Sequence, residues 1–288
     1  MRILHGSSNP ALAENLAEVL GIGIVERELK RFPDGELYVR LLEDIEGEDI
    51  VLVQSTYPDH NALEFLLLSG LARDRGARSV IGVVPYYGYA RQDRVFREGE
   101  SFSARTMARH IQKDIDHVIC VNLHKEATLS EFDGVRTASN VSVMGVVGEF
   151  LRNSGVDFVL SPDKGAIDYA KEAAETAGCR FDNLEKTRID GNTVVMTPKE
   201  LDVKGKIVCI VDDIIATGGT ILRAQETLRG QGAREVLACC AHGLFTGGGR
   251  ERLGPVLDGL YSSDTIENPA SSFSAAVPIA RRIREIMG

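Results

Sequence analysis

The sequence lacks several features that would assign it to familiar classes of protein. Its 288 residues carry no excess of basic charge, since 33 lysines and arginines face 42 aspartates and glutamates for a net charge of −9. Broad binding of nucleic acids usually needs a basic surface and is therefore disfavoured. No apolar run approaches the roughly 20 residues that cross a bilayer, and no long apolar stretch follows the first methionine. We expect a cytoplasmic protein that binds neither nucleic acid nor membrane.

Cysteine spacings typical of zinc sites or disulfide frameworks are absent as well. None of the five cysteines forms a Cys-x-x-Cys pair, and four of them lie in apolar, strand-like segments. This pattern favours buried thiols in a reducing compartment. The five are Cys120, Cys179, Cys209, Cys239 and Cys240.

The composition is that of a globular protein, and the length favours two domains. Hydrophobic residues make up 43% of the chain and charged residues 26%, which is usual for this class. Strand-like and helix-like segments alternate, as in βαβ units over a parallel sheet, and the pattern starts again after about residue 142. We predict an α/β fold with two similar domains, each a mostly parallel sheet flanked by helices, over residues 1–142 and 143–288.

One stretch combines strand, carboxylates, glycines and helix in a pattern that suits a sugar phosphate. Residues 207–211 are a continuous apolar run rich in β-branched residues, typical of a strand buried on both faces, and residues 221–230 have helical spacing. Between them stand Asp212 and Asp213 and then the turn Ala216-Thr217-Gly218-Gly219-Thr220. Glycine N–H groups, threonine hydroxyls and a helix N-terminus all favour phosphate oxygens. The paired carboxylates can accept from ribose hydroxyls or hold hydrated Mg²⁺. The alternative is an ordinary acidic strand end before a glycine turn.

Further segments place turns and charges at the ends of predicted strands. Taken singly and in chain order, the five segments are compatible with a hairpin turn, a solvated loop, a structural histidine, a strand end and a charged hairpin tip. They are Phe-Pro-Asp-Gly-Glu (residues 32–36), Tyr-Tyr-Gly-Tyr-Ala-Arg-Gln-Asp-Arg (86–94), Asn-Leu-His (122–124), Ser-Pro-Asp-Lys-Gly-Ala (161–166) and Glu-Lys-Thr-Arg (185–188).

Residues 212–220 resemble the phosphoribosyl-binding loop of type I phosphoribosyltransferases and of the related ribose-phosphate pyrophosphokinases. The further segments resemble motifs of the second family, occur in its order along nearly the whole chain, and are not combined in ordinary phosphoribosyltransferases. The resemblance implies a phosphoribosyltransferase-like fold. It also implies transfer of the β,γ-pyrophosphoryl group of MgATP to the anomeric hydroxyl of ribose 5-phosphate, giving phosphoribosyl pyrophosphate and AMP.

The same resemblance implies that the ATP site is shared between subunits. In ribose-phosphate pyrophosphokinases, the segment matching residues 32–36 is presented by a neighbouring subunit to the adenine of ATP. Phe32 would stack on the base, and Asp34 and Glu36 would accept from its donor edge. The protein is therefore expected to self-associate.

The remaining roles implied by the resemblance fall on both predicted domains. The first domain would hold ATP through Arg91, Gln92 and His124. The second would hold ribose 5-phosphate, with its hydroxyls at Asp212 and Asp213 and its phosphate at Ala216, Thr217, Gly218, Gly219 and Thr220. Mg²⁺ is the implied cofactor, with His124 and Asp163 as its contacts. Lys186 and Arg188 match a Lys-x-Arg pair on the mobile catalytic loop of that family.

The sequence departs from the family pattern at three positions. Asn122 replaces an aspartate, Ala166 replaces the second glycine of the pyrophosphate loop, and Ala216 stands where many relatives carry an acidic residue. No general base is therefore assigned. Two alternatives remain: a phosphoribosyltransferase, and a non-catalytic regulatory homologue that binds nucleotide.

Three other segments have no predicted chemical role. Asn9, directly before Pro10, is a candidate helix cap. Residues 247–250, Gly-Gly-Gly-Arg, are expected to be a flexible turn, and residues 274–287 a terminal helix that can cover a sheet.

Overall fold

The computed structural model of the protein describes residues 1–188, 194–197 and 201–288, with side chains outside residues 185–200. The chain forms two compact units. The first comprises Met1–Ser142, Asp264–Glu267 and Ser274–Gly288, and the second comprises Val143–Ser263 and Asn268–Phe273.

The first unit is built on a five-stranded parallel sheet with an antiparallel hairpin beside it. Its elements up to residue 142 are β1 (Arg2–His5), α1 (Pro10–Leu20), β2 (Arg27–Arg31), β3 (Leu37–Leu41), β4 (Asp49–Val53), α2 (Asp59–Asp74), β5 (Ser79–Val84), α3 (Ser103–Ile111), β6 (His117–Val121) and β7 (Thr137–Val141). The sheet order is β1-β4-β5-β6-β7, with every neighbouring pair parallel. β2 and β3 form the hairpin.

The core of the first unit lies between its sheet and its helices. β4 and β5 are buried almost throughout because they are central strands covered on both faces. Phe65 and Leu68 of α2 and Ile111 of α3 pack in the same apolar cluster as Leu52 and Val84 of these strands.

The second unit contains a six-stranded parallel sheet and a two-stranded antiparallel sheet. Its elements are α4 (Met144–Asn153), β8 (Phe158–Ser161), α5 (Ile167–Ala177), β9 (Arg180–Asn183), β10 (Glu185–Arg188), β11 (Val194–Thr197), β12 (Ile207–Ile215), α6 (Gly219–Gly230), β13 (Glu235–Gly243), α7 (Gly249–Leu253), β14 (Gly259–Ser263) and β15 (Ser271–Phe273). The sheet order is β15-β14-β13-β12-β8-β9, all parallel. β10 and β11 pair antiparallel as a separate two-stranded sheet. The predicted α/β fold with mostly parallel sheets is confirmed.

The last helix, α8 (Ala276–Met287), belongs to the first unit. It packs against α1, β6 and β7. Arg282 Nε donates to Ser139 Oγ at 2.8 Å, and Arg284 Nη2 donates to the carbonyl of Val19 at 2.6 Å. The sequence indicated this helix correctly but placed it with the second domain. That placement is corrected, because helical periodicity does not reveal which sheet a helix covers.

The segment Asp264–Glu267, which belongs to the first unit, caps the start of α1. Glu267 Oε1 accepts from the N–H groups of Ala11 and Leu12 at 2.7 and 3.3 Å, at the start of α1. The Asn9 side chain makes no capping bond; its Nδ2 donates instead to the carbonyls of Asp264 and Thr265. The expected cap is therefore replaced by a carboxylate more than 250 residues away in the sequence.

The cysteines are free thiols, and four of them are buried in strands. Cys120 lies in β6, Cys209 in β12, and Cys239 and Cys240 in β13, whereas Cys179 is half-buried. Burial raises the pKa of the Cys120 thiol to about 12. Such thiols are inert at neutral pH, so their role is packing.

Among the helices that the structure describes, none has the length and apolarity needed to span a bilayer.

Candidate active site

β12 carries the two predicted aspartates past the end of its neighbour β8. β12 pairs with β8 over residues 208–210, whereas its pairing with β13 continues to Ile215, which lies opposite Gly243. The predicted strand end at residue 211 is corrected, because the ladder with β13 keeps Asp212 and Asp213 in the strand. Both aspartates lie in the carboxyl-terminal half of a central parallel strand, where ligands of such sheets collect.

Neighbouring carboxylates at this strand end raise the cost of ionising Asp212. Asp213 is only 7% exposed, and its N–H donates to Asp212 Oδ1 at 2.9 Å. Burial raises the pKa of Asp212 well above its ordinary value, and the charges of Asp213 and Asp163 and a hydrogen bond with the Asp213 carboxyl raise it further. A cation or hydroxyl donor placed here would be favoured, because it would offset this accumulation of negative charge.

Asp212→Asn is expected to stabilise the protein at neutral and alkaline pH. The folded state holds a proton on Asp212 at pH values where the unfolded chain has lost it. The free energy of unfolding therefore falls as the pH rises from about 4 to the raised pKa, and stays lower above it. The gain in the free energy of unfolding is about 1.4 kcal/mol for every tenfold change that folding makes in the acid dissociation constant of Asp212. Each kcal/mol corresponds to about 2–4 °C in Tm.

Thermal unfolding in metal-free buffer between pH 4 and pH 8 measures this gain. The advantage of Asp212→Asn should be largest at pH 8 and shrink toward pH 4. Glu226→Gln, at an exposed position of α6, is the matched control and should leave Tm unchanged. A lower Tm for Asp212→Asn at pH 8 would contradict the electrostatic account.

The predicted phosphate turn lies at the N-terminus of α6. Gly218 has φ +80° and occupies the cap position, and α6 begins at Gly219. The left-handed conformation favours glycine, which explains this residue type here. In the described part of the chain, the N–H groups of Gly218 and Gly219 donate to no protein acceptor. Helix-start N–H groups of this kind are suited to an anion.

A second structural element supports this turn and was missed in the sequence. Residues 247–250 were expected to be a flexible turn, whereas Gly249 begins α7. Arg252 Nη2 of this helix donates to the carbonyl of Thr217 at 2.7 Å. The Gly-rich segment followed by Arg-x-Arg was the available signal, but spacing alone does not reveal which carbonyl an arginine meets.

The turn after β8 is held by Asp163. Its Oδ1 accepts from the N–H of Gly165 at 2.8 Å, and Ser161 Oγ donates to its carbonyl at 2.6 Å. The N–H of Gly165 is thus bonded to a carboxylate. Ala166, the departure from the family pattern, is buried, so its methyl group packs inward.

The carboxylate of Asp163 is a suitable ligand for Mg²⁺, since carboxylate oxygens are the usual protein ligands of this ion. Among the described residues, however, no group of three or more His, Cys, Asp or Glu side chains has metal-binding geometry. Magnesium bound by one or two carboxylates together with substrate phosphates needs no such group. His124 belongs to the first unit and Asp163 to the second, so their joint role stays a prediction.

Residues 32–36 form the tip of the β2–β3 hairpin. The turn is closed by Phe32 N–H donating to the carbonyl of Glu36 at 2.9 Å, and Asp34 Oδ1 accepts from the Glu36 N–H at 3.0 Å. Phe32 is 45% exposed, with one edge against Tyr38. Phe32, Asp34 and Glu36 are thus all exposed at the tip of the hairpin.

The loop after β5 divides its tyrosines between core and surface. Tyr87 is buried and its hydroxyl donates to the carbonyl of Ala104 at 2.7 Å, whereas Tyr89 is exposed. Gly88 permits a close approach, because an added Cβ would lie 2.5 Å from the carbonyl oxygen of Thr56. Arg91 is exposed, and Gln92 is half-buried with its Nε2 donating to the carbonyl of Arg94 at 3.2 Å.

The segment after β6 presents His124 at the end of a sharp bend. Asn122 has φ +40° and is buried, a conformation that asparagine tolerates better than most residues. The N–H of Leu123 donates to Asn140 Oδ1 at 2.9 Å. His124 follows, half-buried. Asn122 is therefore compatible with the bend that carries His124.

Lys186 and Arg188 occupy β10, where they pair with Met196 and Val194 of β11. Their side chains lie outside the described residues, so their catalytic role stays a prediction. The second unit thus brings together Asp163, the two aspartates of β12 and residues 216–220, whereas all the predicted ATP contacts belong to the first unit.

Comparison with known families matches a different domain to each half of the chain. The N-terminal domain of ribose phosphate pyrophosphokinase matches residues 1–114, and the phosphoribosyl transferase domain matches residues 143–281. Fold and matched domains define the class as a two-unit α/β protein of the phosphoribosyltransferase type.

Full-length relatives narrow the class to one family. A ribose-phosphate pyrophosphokinase from Methanopyrus kandleri is 40% identical over 294 residues, covering 100% of both chains. One from Thermococcus kodakarensis is 43% identical, covering 94% of this chain and 96% of its own. The crystal structure of phosphoribosylpyrophosphate synthetase from Mycobacterium smegmatis matches with a TM-score of 0.84 at 26% identity, over 99% of this chain and 98% of that one. The chain belongs to the ribose-phosphate pyrophosphokinase family.

Proposed function

We propose that the protein transfers the β,γ-pyrophosphoryl group of MgATP to the anomeric hydroxyl of ribose 5-phosphate, giving phosphoribosyl pyrophosphate and AMP. The observation that carries the proposal is the turn at the start of α6, with Asp212 and Asp213 directly before it. Its occurrence in a chain that matches named ribose-phosphate pyrophosphokinases over the full length supports this reaction in particular.

Ribose 5-phosphate would bind in the second domain, residues 143–288 without the terminal helix. The N–H groups and hydroxyls of residues 216–220 would hold its phosphate at the N-terminus of α6. Asp212 and Asp213 would accept hydrogen bonds from its vicinal hydroxyls. These bonds would partly compensate for the burial and the neighbouring charges that disfavour an ionised carboxylate at this strand end. Fixing both ends of the sugar would leave the anomeric hydroxyl positioned for attack, which is the main source of rate in such transfers.

ATP would bind to the first domain, residues 1–142. Arg91 and Gln92 would contact the nucleotide from the loop after β5, and His124 from the segment after β6. Phe32, Asp34 and Glu36 would reach the adenine of a neighbouring subunit, and their exposed position at a hairpin tip supports such sharing. Self-association is therefore part of the proposal.

The cation would be held by Asp163 and His124, where it would neutralise polyphosphate oxygens. Lys186 and Arg188 would donate to the negative charge that moves toward the bridging oxygen of the departing AMP. No general base is named: Ala216 supplies no carboxylate, and a loose transition state needs little help from a base.

The decisive experiment follows AMP release by the purified protein from MgATP and ribose 5-phosphate. AMP formed only when both substrates are present supports the proposal. Release of pyrophosphate from phosphoribosyl pyrophosphate on addition of a nucleobase, without the first activity, would indicate a phosphoribosyltransferase. Nucleotide binding with neither activity would indicate the regulatory homologue.

A further inference from the structure

The last carbonyl of β12 and the first two carbonyls of the phosphate turn face the segment between β13 and the end of α7. The N–H of Phe245 donates to the carbonyl of Ile215 at 3.0 Å, and Arg252 Nη2 donates to that of Thr217 at 2.7 Å. Between them, an added Cβ at Gly249 would lie 2.6 Å from the carbonyl oxygen of Ala216. The segment therefore lies against the side of the turn that carries these carbonyls, which is called the back of the turn.

This backing determines where the N–H groups of the turn point. In a trans peptide the carbonyl and the following N–H lie on opposite sides of the bond. Because the carbonyls of Ile215 and Thr217 are bound from behind, the N–H groups of Ala216 and Gly218 are directed to the other side. That is the side on which the proposed function places the sugar phosphate.

Of these two hydrogen bonds, the one from Arg252 is donated by a side chain. It holds the carbonyl of Thr217, which lies within the turn itself. Leu253, the next residue, is fully buried under Gly218, where an added Cβ would lie 2.8 Å from Leu253 Cδ1. The leucine fixes the depth of the turn, and the arginine fixes the rotation of the peptide between Thr217 and Gly218.

We propose that Arg252 is a positioning residue for the 5-phosphate of the sugar. By bonding the carbonyl of Thr217, it holds the N–H of Gly218 toward the phosphate and keeps the peptide from rotating. Its guanidinium also places a permanent positive charge behind the turn. The proposal deepens the proposed function and rests on it, since it concerns the same sugar phosphate.

The test compares Arg252→Ala, Arg252→Lys and the matched control Arg250→Ala in the full-length protein. Arg250 lies on the same helix, is exposed, and its side chain has no hydrogen-bond or ion-pair partner among the described residues. The measurements are KM for ribose 5-phosphate and for ATP, kcat, Tm, and the Kd of ribose 5-phosphate by titration calorimetry.

Arg252→Ala is expected to raise the Kd and KM for ribose 5-phosphate on the order of tenfold, as for a lost charged hydrogen bond, with KM for ATP unchanged. Arg252→Lys should recover most of this loss because it keeps a cationic donor, and Arg250→Ala should match the wild type. A wild-type Kd in Arg252→Ala would overturn the inference, as would an equal rise in both KM values with a fall in Tm. Wild-type protein without AMP release or ribose 5-phosphate binding would instead overturn the proposed function.

Discussion

Replacing either Lys186 or Arg188 with alanine is expected to lower turnover about a hundredfold while leaving the affinity for ribose 5-phosphate unchanged. In the proposed reaction, negative charge moves toward the oxygen that leaves with AMP. A cationic donor that meets this charge only in the transition state contributes on the order of 3 kcal/mol. Such a donor affects kcat and not ground-state binding, because its interaction develops during the reaction.

Steady-state kinetics with both substrates varied, together with calorimetric titration of ribose 5-phosphate, separates the two effects. Lys204→Ala is the matched control, since it removes an exposed lysine of the same unit outside the proposed site. A double variant should lose less than the product of the single losses if the two residues act on one developing charge. Turnover near the wild-type value in both single variants would remove Lys186 and Arg188 from the mechanism.

The fold was predictable wherever strands are buried on both faces. β4, β5 and β12 contain continuous apolar runs, and the run in β12 was recognised as a buried strand from this pattern. Strands that were not predicted include three at sheet edges: β7 (Thr-Ala-Ser-Asn-Val), β9 (Arg-Phe-Asp-Asn) and β15 (Ser-Ser-Phe). An edge strand has one neighbour and a solvated side, so it needs no apolar run and leaves little trace in the sequence.

The candidate site was predictable to the extent that its residues are contiguous. The carboxylates of Asp212 and Asp213, the turn and the start of α6 stand within one short stretch, and their residue types state the chemistry directly. Arg252 was not found, because it reaches the carbonyl of Thr217 from 35 positions along the chain. Long-range contacts of this kind depend on how β13 returns alongside β12, which local patterns do not encode.

Gly218→Ala is expected to reduce kcat/KM for ribose 5-phosphate by at least an order of magnitude. The substitution adds a methyl group at φ +80°, in the left-handed region that costs other residues about 1–2 kcal/mol. It also drives the new Cβ to within 2.8 Å of Leu253 Cδ1, and Leu253 is fully buried and cannot retract. The turn must therefore lift, and a displacement of about 1 Å in a positioning element can cost a hundredfold in rate.

Gly205→Ala separates backbone strain from displacement of the turn. Gly205 has φ +73° and no heavy atom within 4 Å of an added Cβ, so this variant carries the strain without the collision. Both variants should lower Tm by a few degrees, but only Gly218→Ala should raise KM for ribose 5-phosphate. Equal kinetics in the two variants would show that the position of the turn against Leu253 has no part in binding. A defect confined to Gly218→Ala would mean that the phosphate is held by backbone groups, whose placement depends on a buried leucine beneath them.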